Sequence, residues 1–358
     1  MGIKCSSQAD FLRAAAAAAG MEEALTRAAK AIEKADALLI TTGAGMGVDS
    51  GLGTFRGRNA GVWPPLKALR RDFSEMSTPR WFNTDPRLAW AFWHFRHEAY
   101  TKGSPHAGYD ILSKWANSKT HGYFSVTSNI DGHWERTKGI KASRVYECHG
   151  ALTHMQCVED DGRIWKTDPE QIGSLQVPDW DVTPGEEVEA KVSAKWVPAK
   201  VGEDGASIFS MQGDPLQAEG VRRKGGQDLM RVVEGCPLPA APESSAAARP
   251  NVLMFGDWGV NVSRIQNQGE AFDSWVRGLL GTANLAIIEI GAGLTVSTIR
   301  HISETTLRQV SNSTLIRINL DDSSVKGARE DRSISIGGLG ALDALSRIDA
   351  IIQRDVGK

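Results

Sequence analysis

The chain has 358 residues, and its 41 basic and 43 acidic side chains leave a formal net charge of −2. This balance excludes the basic surface typical of nucleic-acid binding or of a polybasic membrane contact. Cys5, Cys148, Cys157 and Cys236 stand at unrelated spacings, which excludes a disulfide framework and favours a reducing compartment. No apolar run reaches transmembrane length, and the first residues lack a signal-peptide pattern. We expect a cytoplasmic α/β enzyme without a nucleic-acid partner, with one nucleotide-binding domain and a smaller inserted one.

The first six residues match a lipid-attachment pattern. Gly2 fits N-myristoylation, and Cys5 stands where a second, palmitoyl chain is often added. One acyl chain binds membranes weakly, whereas two give stable anchoring. Residues 1–20 therefore predict either an acylated, membrane-associated tail or an unmodified, disordered one.

A helix and a strand precede a glycine-rich turn. Apolar residues recur at helical spacing over 21–34, and the run 37–40 predicts a strand that is buried on both faces. Gly43, Ala44 and Gly45 follow, and we expect the missing Cβ atoms of the glycines to let backbone N–H groups close on a phosphate.

Polar residues follow the next predicted strand, at 123–126. They are Ser128, Asn129 and Asp131, with the apolar Ile130 between them. Open α/β sheets bind ligands at the carboxyl ends of their strands, so this segment is a candidate binding site. A turn capped by its own Asn and Asp side chains is the alternative.

His149 follows another predicted short strand, within the segment 144–150. The imidazole pKa lies near neutrality, so this side chain could accept a hydroxyl proton at working pH. A structural histidine is the alternative.

The remaining pattern completes a sheet. Apolar runs at 285–290 and 315–320 predict two more buried strands, and 337–351 predicts a closing helix. Strands that alternate with helices predict an α/β fold with a doubly wound, parallel, Rossmann-like sheet.

These segments together resemble the sirtuins, the NAD-dependent protein deacylases. The matching strings are the glycine turn, Phe-Arg-Gly at 55–57, Asn-Ile-Asp at 129–131, His-Gly at 149–150, Arg-Pro…Phe-Gly at 249–256 and Ile-Asn-Leu at 318–320. Each string is weak alone, but six in the family's order are specific. The resemblance covers about 35–350 of this sequence, with a gap over a long insert at 158–235.

The resemblance implies a catalytic domain at 21–350, flanked by tails at 1–20 and 351–358. Within it, residues 64–110 would form the helical part of a smaller domain. Residues 151–248 would form an insert that corresponds to a degenerate zinc module.

The resemblance also implies a set of site residues, with NAD as co-substrate. Asn129 and Asp131 would position the ribose and carboxamide, Phe55 would shield the reacting face, and His149 would be the catalytic base. The residues implied to bind NAD are Gly43, Ala44, Gly45, Asp49, Thr54, Phe55, Arg56, Trp63, Ser128, Asn129, Ile130, Asp131, Gly291, Ala292, Gly293, Asn319 and Leu320. The residues implied to bind an acylated peptide are Val252, Phe255, Gly256 and Asp257.

The zinc ligands of the family are incomplete in this chain. Sirtuins usually carry two Cys-x-x-Cys pairs that hold a structural zinc. Here Asp160 replaces the partner of Cys157, and Pro239 replaces the partner of Cys236. Zinc is therefore not expected, although His154, Asp160 or Asp161 could supply missing ligands.

The insert and the helical part carry two further predictions. Residues 187–192 alternate at strand period and predict a small β unit, whereas the Gly-rich stretch 202–226 predicts a loop. Sirtuins that prefer acidic acyl groups carry Tyr-x-x-Arg, where this chain has Trp93 and Arg96. We expect Arg96 to be a surface residue.

The implied reaction removes acyl groups from protein lysines and gives nicotinamide and O-acyl-ADP-ribose. In it, the amide oxygen of the acyl-lysine attacks C1′ of the nicotinamide ribose, and His149 removes a ribose hydroxyl proton. Ser128 replaces the family's Gln, and Ala292-Gly293 replaces its Thr-Ser. These changes leave a mono-ADP-ribosyltransferase or an NAD glycohydrolase as an alternative. A non-catalytic NAD- or peptide-binding module is a further alternative, and retention of His149 counts against it.

Overall fold

The computed structural model describes residues 8–53, 73–177, 188–190, 195–201, 207–212, 221–223, 231–325 and 330–356. It contains two compact units. Unit 1 takes the described residues within 1–59, 103–151 and 262–358, and unit 2 takes those within 60–102 and 152–261. Gly2 and Cys5 lie outside the described residues, so their acylation and a cytoplasmic location stay predictions. None of the described helices has the length and apolar character needed to span a bilayer.

The strands are, in chain order, β1 (Ala37–Thr42), β2 (Tyr123–Thr127), β3 (Val145–Glu147), β4 (Gly150–Cys157), β5 (Ile164–Lys166), β6 (Val188–Ala190), β7 (Lys195–Val201), β8 (Ser207–Gln212), β9 (Val221–Arg223), β10 (Ala248–Val252), β11 (Leu285–Ile290), β12 (Ser313–Asn319) and β13 (Ser333–Gly337). The α-helices are α1 (Gln8–Lys34), α2 (Phe73–Met76), α3 (Arg80–Thr84), α4 (Pro86–Lys102), α5 (Ala107–Asn117), α6 (His133–Arg136), α7 (Pro169–Gly173), α8 (Ser263–Leu279), α9 (Thr298–Gln309) and α10 (Ala341–Val356). Short 3₁₀ helices cover Ala44–Ser50, Ala142–Arg144 and Glu330–Arg332.

Unit 1 is built on a parallel sheet. Its six strands follow the order β13-β12-β11-β1-β2-β3, and every neighbouring pair is parallel. The chain therefore winds outward in both directions from the β1–β11 pair, and the predicted doubly wound Rossmann-like sheet is confirmed. In such sheets the point where the strand order reverses is where ligands bind, beyond the carboxyl ends of the strands.

Burial explains the apolar sequence of the central strands. All six residues of β1 and all six of β11 are buried, because helices cover both faces of the sheet. On one face, Leu25 and Ile32 of α1 pack in a core with residues of α5 and α10. On the other face, Phe272 and Trp275 of α8 pack with α9 against β1, β2 and β11. Helix α1 begins at Gln8, so part of the predicted tail 1–20 is helical.

Unit 2 contains helices α2, α3, α4 and α7 and a three-stranded sheet of order β10-β4-β5. The insert adds two antiparallel ladders, β6 with β9 and β7 with β8. The predicted β unit is therefore present. The prediction of a loop over 202–226 is wrong, because Ser207–Gln212 forms a strand that pairs with Lys195–Val201.

Arg96 lies in the aromatic interior of unit 2, and its side chain contradicts the prediction of a surface residue. The residue is 4% exposed, and its guanidinium lies 4.6 Å from the ring centre of Phe73 and 4.8 Å from that of Trp93. It also donates a 2.8 Å hydrogen bond to the hydroxyl of Tyr100. The aromatic faces stabilise the desolvated cation, which a sequence pattern cannot show.

The segment that follows β10 is held by a buried ion pair. Asp257 pairs with Arg249, and the two side chains are 0% and 2% exposed. The same carboxylate accepts hydrogen bonds from the backbone N–H groups of Met254 and Gly259. These bonds fix the loop 253–259, on which Phe255 is 45% exposed and Trp258 is 99% exposed.

The two cysteines of the degenerate zinc module have separate partners. The thiol of Cys157 donates to Asp161, whereas the sulfur of Cys236 accepts from the backbone N–H of Gln176. Arg163 bridges Asp161 to Glu243 at 3.2 Å and to the Ser244 hydroxyl at 3.0 Å. Within the described ranges, no three His, Cys, Asp or Glu side chains are placed to hold a metal ion.

A buried amide next to Cys157 joins three segments of unit 2. Gln156 is fully buried, and its side-chain oxygen accepts from the amide of Asn251 on β10 and from the backbone N–H of Asn261. Its amide group donates to the carbonyl of Gly259 at 3.0 Å. Gln156 makes these hydrogen bonds directly beside Cys157, where sirtuins usually have the first Cys-x-x-Cys pair.

We predict that chelation leaves this protein folded. Treatment with 1,10-phenanthroline should leave the thermal unfolding midpoint unchanged, because Cys157 and Cys236 have separate protein partners. Elemental analysis of protein purified with added zinc should find substoichiometric metal. A sirtuin with both cysteine pairs is the positive control, and a chelator-induced loss of stability in this chain would contradict the prediction.

Candidate functional site

The turns after β1 and β11 are in backbone contact at the carboxyl edge of the unit 1 sheet. A Cβ atom on Gly45 would lie 2.6 Å from the Cα of Gly291, and one on Gly43 would lie 2.7 Å from the Gly291 carbonyl oxygen. Gly291 itself has a positive φ of 62°. The N–H groups of Gly43 and Gly45 donate to the carbonyls of Ile290 and Gly291. These two N–H groups therefore bind protein carbonyls rather than facing a phosphate, and glycine is required here for the close approach of two main chains.

The second turn is connected to the end of β12. The carbonyl of Ala292 accepts from the amide of Asn319 at 2.9 Å and from Arg300 at 3.0 Å. The side-chain oxygen of Asn319 accepts the backbone N–H groups of Asp321 and Asp322. Asn319 thus orders both the turn and the loop after β12, where Leu320 is 45% exposed.

The polar segment after β2 is connected to the first turn. The amide of Asn129 donates to the carbonyl of Gly43 at 2.9 Å, and the Ser128 N–H donates to the carbonyl of Thr42. One oxygen of Asp131 accepts the backbone N–H of His133, and Asp131 is 9% exposed. The predicted residues Ser128, Asn129 and Asp131 therefore lie at the same edge as the two turns, and Ile130 is buried beside them.

His149 is half-buried, two residues after the end of β3. Its Nε2 lies 3.2 Å from the hydroxyl of Thr298, the first residue of α9. Burial lowers the pKa of the imidazole, and a hydrogen bond with the Ser128 backbone partly offsets that effect. The ring is therefore neutral at physiological pH, which is the form that accepts a proton.

The remaining predicted residues of unit 1 have other placements. Asp49 accepts the backbone N–H of Leu342 at 2.8 Å near the start of α10, which is a structural contact. Ala44 opens the 3₁₀ helix, and Gly293 has open space around the position of a Cβ. Four predicted residues lie outside the described ranges: Thr54, Phe55, Arg56 and Trp63.

Sequence reasoning missed a group of buried aromatic residues behind the polar segment. Tyr109 packs edge-on against His106, His133 and Trp134, with ring centres 5.0, 5.5 and 4.9 Å away. The indole N–H of Trp134 donates to the hydroxyl of Thr42, the last residue of β1. Both ring nitrogens of His133 are buried, and neither has a hydrogen-bond partner among the described residues. In the sequence, the one indication of this group was that His133 stands two residues after Asp131.

A carboxylate cluster fixes the end of β3, just before His149. Glu147 is 1% exposed and pairs with Arg264 of α8, which also binds Glu135 at 3.2 Å. Burial raises the pKa of Glu147 to about 7, against the opposing effect of Arg264. The backbone N–H of Glu147 donates to the side chain of Gln268, one helical turn after Arg264. Helix α8 therefore holds the strand end that carries the candidate base.

Comparison with known proteins agrees with this geometry. The family model for the Sir2 family matches residues 43–296, which run from the first glycine turn to the residues before α9. The chain belongs to the Sir2 family. The predicted family is thus confirmed.

Relatives of this Sir2 protein include enzymes named NAD-dependent protein deacylase. One from Aquifex aeolicus is 32% identical over 34% of this chain and 47% of its own length. One from Thermococcus kodakarensis is 31% identical over 40% of this chain and 54% of its own length. The chain thus spans about half the length of the curated relatives that it matches.

Solved structures agree in fold. A mutant Sir2 homologue in complex with ADP-ribose superposes with a TM-score of 0.55 at 16% identity, covering 92% of this chain and 96% of that one. A Sir2 homologue in complex with NAD gives a TM-score of 0.54 at 16% identity, covering 91% and 93% of the two chains. At this identity the likeness establishes the fold.

We predict that Gly45→Ala destabilises unit 1. The new Cβ would lie 2.6 Å from backbone atoms, which cannot move as a side-chain end can. The free energy of unfolding from urea titration should fall by about 2–3 kcal/mol. Gly293→Ala is the matched control, because its Cβ meets no atom of the described residues within 4 Å. Its effect should be within about 0.5 kcal/mol, and equal losses in both variants would contradict the packing argument.

We predict that His133→Phe flattens the acid side of the stability profile. Burial lowers the pKa of His133 below 6.5, so the unfolded chain binds a proton more readily than the folded one. Stability is therefore lost as the pH falls below about 6.5. Phe keeps the ring packing on Tyr109 and removes the titrating group.

In urea titrations near pH 7.5, the variant should be within about 1 kcal/mol of the wild type, since the His133 ring makes no hydrogen bond with the part of the chain that the structure describes. Towards about pH 5.5 the variant should gain stability relative to the wild type. The same substitution at the exposed His301 is the control for replacing a histidine by phenylalanine. Parallel profiles for wild type and His133→Phe would disprove the assignment.

Proposed function

We propose that this chain is an NAD-dependent protein lysine deacylase that gives nicotinamide and O-acyl-ADP-ribose. The observation that carries the proposal is His149, a neutral imidazole at the edge of the sheet that bears Ser128, Asn129 and Asp131. A base whose pKa burial has lowered is ready to accept a hydroxyl proton. Membership of the Sir2 family and relatives named as deacylases support the same activity.

The polar groups at this edge fit a dinucleotide. The amide of Asn129, the buried carboxylate of Asp131 and the amide of Asn319 supply donors and acceptors that match hydroxyl and carboxamide groups. One carboxylate oxygen of Asp131 accepts the His133 N–H. The second oxygen accepts no hydrogen bond from the other described residues. A Sir2 homologue of the same fold is known in complex with NAD. NAD would supply the chemistry of an electrophilic ribose carbon with nicotinamide as its leaving group.

Each of these side chains has a defined part in that reaction. The side chain of Asn129 is fixed by its hydrogen bond to the Gly43 carbonyl and would orient the ligand beside the first glycine turn. Asp131, fixed by the His133 N–H, would hold a polar group of the same ligand. His149 would take a proton at Nε2. Holding reacting groups in one geometry provides much of the rate in such reactions.

Unit 2 supplies the proposed contacts to an acylated peptide. Strand β10 is the outer strand of its three-stranded sheet, and addition of an extended peptide as a further strand is a recognised binding mode. Val252 is buried at the end of β10, whereas Phe255 and Gly256 are exposed on the loop that follows. Asp257 has a structural part, because Arg249 and two backbone N–H groups occupy its carboxylate. Sir2 mutants have been solved with bound peptides, one of them together with NAD.

The second candidate function is NAD glycohydrolase or mono-ADP-ribosyl transfer. The observation that favours it is the turn at Ala292 and Gly293, where no described atom lies within 4 Å of a Cβ placed on Gly293. Open space at this turn would admit water or another nucleophile. The products distinguish the two functions.

The decisive experiment is mass spectrometry of NAD incubated with acetyl-, succinyl- or myristoyl-lysine peptides. The buried cation of Arg96 is the reason to include the acidic succinyl group. We expect O-acyl-ADP-ribose with the wild type and a loss of about 10²–10⁴-fold with His149→Ala. His121→Ala, an exposed substitution in unit 1, is the control. Free ADP-ribose or a mass gain on protein would select the second function, and no NAD consumption would exclude both.

A further inference from the structure

Thr298 is the direct hydrogen-bond partner of the candidate base. Its hydroxyl lies 3.2 Å from Nε2 of His149, although 149 residues separate the two in sequence. Thr298 is the first residue of α9, directly after the N-cap residue Ser297. The positive end of a helix dipole disfavours a second positive charge, so this position favours a neutral imidazole.

The tautomer of the His149 ring decides which atom donates in its bond with Thr298. The bond between His149 and the Ser128 backbone raises the pKa of the ring, and a bond does this when the imidazole N–H donates to a carbonyl. A neutral imidazole has a single N–H. In the tautomer that gives this N–H to the Ser128 backbone, Nε2 carries the lone pair and accepts the hydroxyl of Thr298.

In this arrangement the Thr298 hydroxyl donates to the lone pair of Nε2, the atom of His149 that has to receive the substrate proton. A hydroxyl can donate one hydrogen bond and accept two, so Thr298 can bind Nε2 and a substrate hydroxyl together. Among the described residues, burial and the Ser128 backbone set the pKa of His149, without a contribution from a charged side chain. In the nearby cluster, Arg264 pairs with both Glu147 and Glu135.

We propose that the Thr298 hydroxyl relays the proton from the substrate hydroxyl to Nε2 of His149. The substrate O–H bond breaks, and its proton bonds to Oγ1 of Thr298. At the same time the Thr298 O–H bond breaks, and its proton forms the N–H bond at Nε2. The substrate is left as an alkoxide, His149 becomes the imidazolium, and the Thr298 hydroxyl is regenerated. The inference rests on the proposed deacylase function, which supplies the substrate hydroxyl.

Two variants separate the hydroxyl from the shape of the side chain. Thr298→Val removes the hydroxyl and keeps the branched side chain, whereas Thr298→Ser keeps the hydroxyl. The first measurement is an NMR titration of the His149 imidazole in the protein without NAD, assigned with His149→Ala. If Thr298 donates to Nε2, its loss in the valine variant should raise the pKa of His149 by about 0.5–1 unit. The serine variant should keep the wild-type value.

The second measurement is steady-state deacylation. Thr298→Val should lower kcat about tenfold or more with KM for NAD within about twofold, and Thr298→Ser should recover most of kcat. A fall in the His149 pKa in the valine variant would show that Thr298 accepts from the ring and would overturn the relay. An unchanged kcat in that variant would also overturn it. If the wild type consumes no NAD, the proposed function fails, whereas loss of the relay alone leaves an active valine variant.

Discussion

The contact between the main chains of the two glycine turns organises the carboxyl edge of the unit 1 sheet. Because Gly45 and Gly291 have no Cβ, the turns approach until backbone touches backbone. Each turn then presents a carbonyl to a side chain, that of Gly43 to Asn129 and that of Ala292 to Asn319. The orientation of both amides thus depends on a contact in which neither takes part. A substitution at either glycine would reach the site through these carbonyls.

In unit 2, buried polar contacts connect the described strands and loops. The Arg163 bridges are partly exposed, so they add little stability individually. The buried contacts matter more, because satisfied hydrogen bonds in a low-dielectric interior specify one arrangement. Gln156 connects β4, β10 and the loop after it, and Arg249 with Asp257 closes that loop. Replacing one partner of such a contact would leave a buried polar group unsatisfied.

The sequence predicts the sheet well because each central strand is a continuous apolar run followed by turn residues. It also predicts that Asn129, Asp131 and His149 lie at the carboxyl edge of this sheet, since each follows a strand end. For Gly43 and Gly45 the sequence predicts a phosphate contact, whereas the structure shows that these glycines allow the turn at Gly291 to approach. A local sequence pattern does not show the approach of a distant turn. Asp257 shows the same limit: a carboxylate interpreted as a substrate contact is satisfied by Arg249. Thr298 left no signal, since a threonine at the start of a helix is ordinary and its partner is distant in sequence.

The fixed loop 253–259 has a thermodynamic consequence for any peptide that binds unit 2. Asp257 already restrains the backbone N–H groups of Met254 and Gly259, so the receptor side loses little conformational entropy on association. The ordering cost falls on the peptide, and an extended, preorganised peptide would lose less of its binding energy than a flexible one. The exposed rings of Phe255 and Trp258 lie on this fixed loop. Affinity on this surface should therefore depend more on the stiffness of the ligand than on adjustment of the protein.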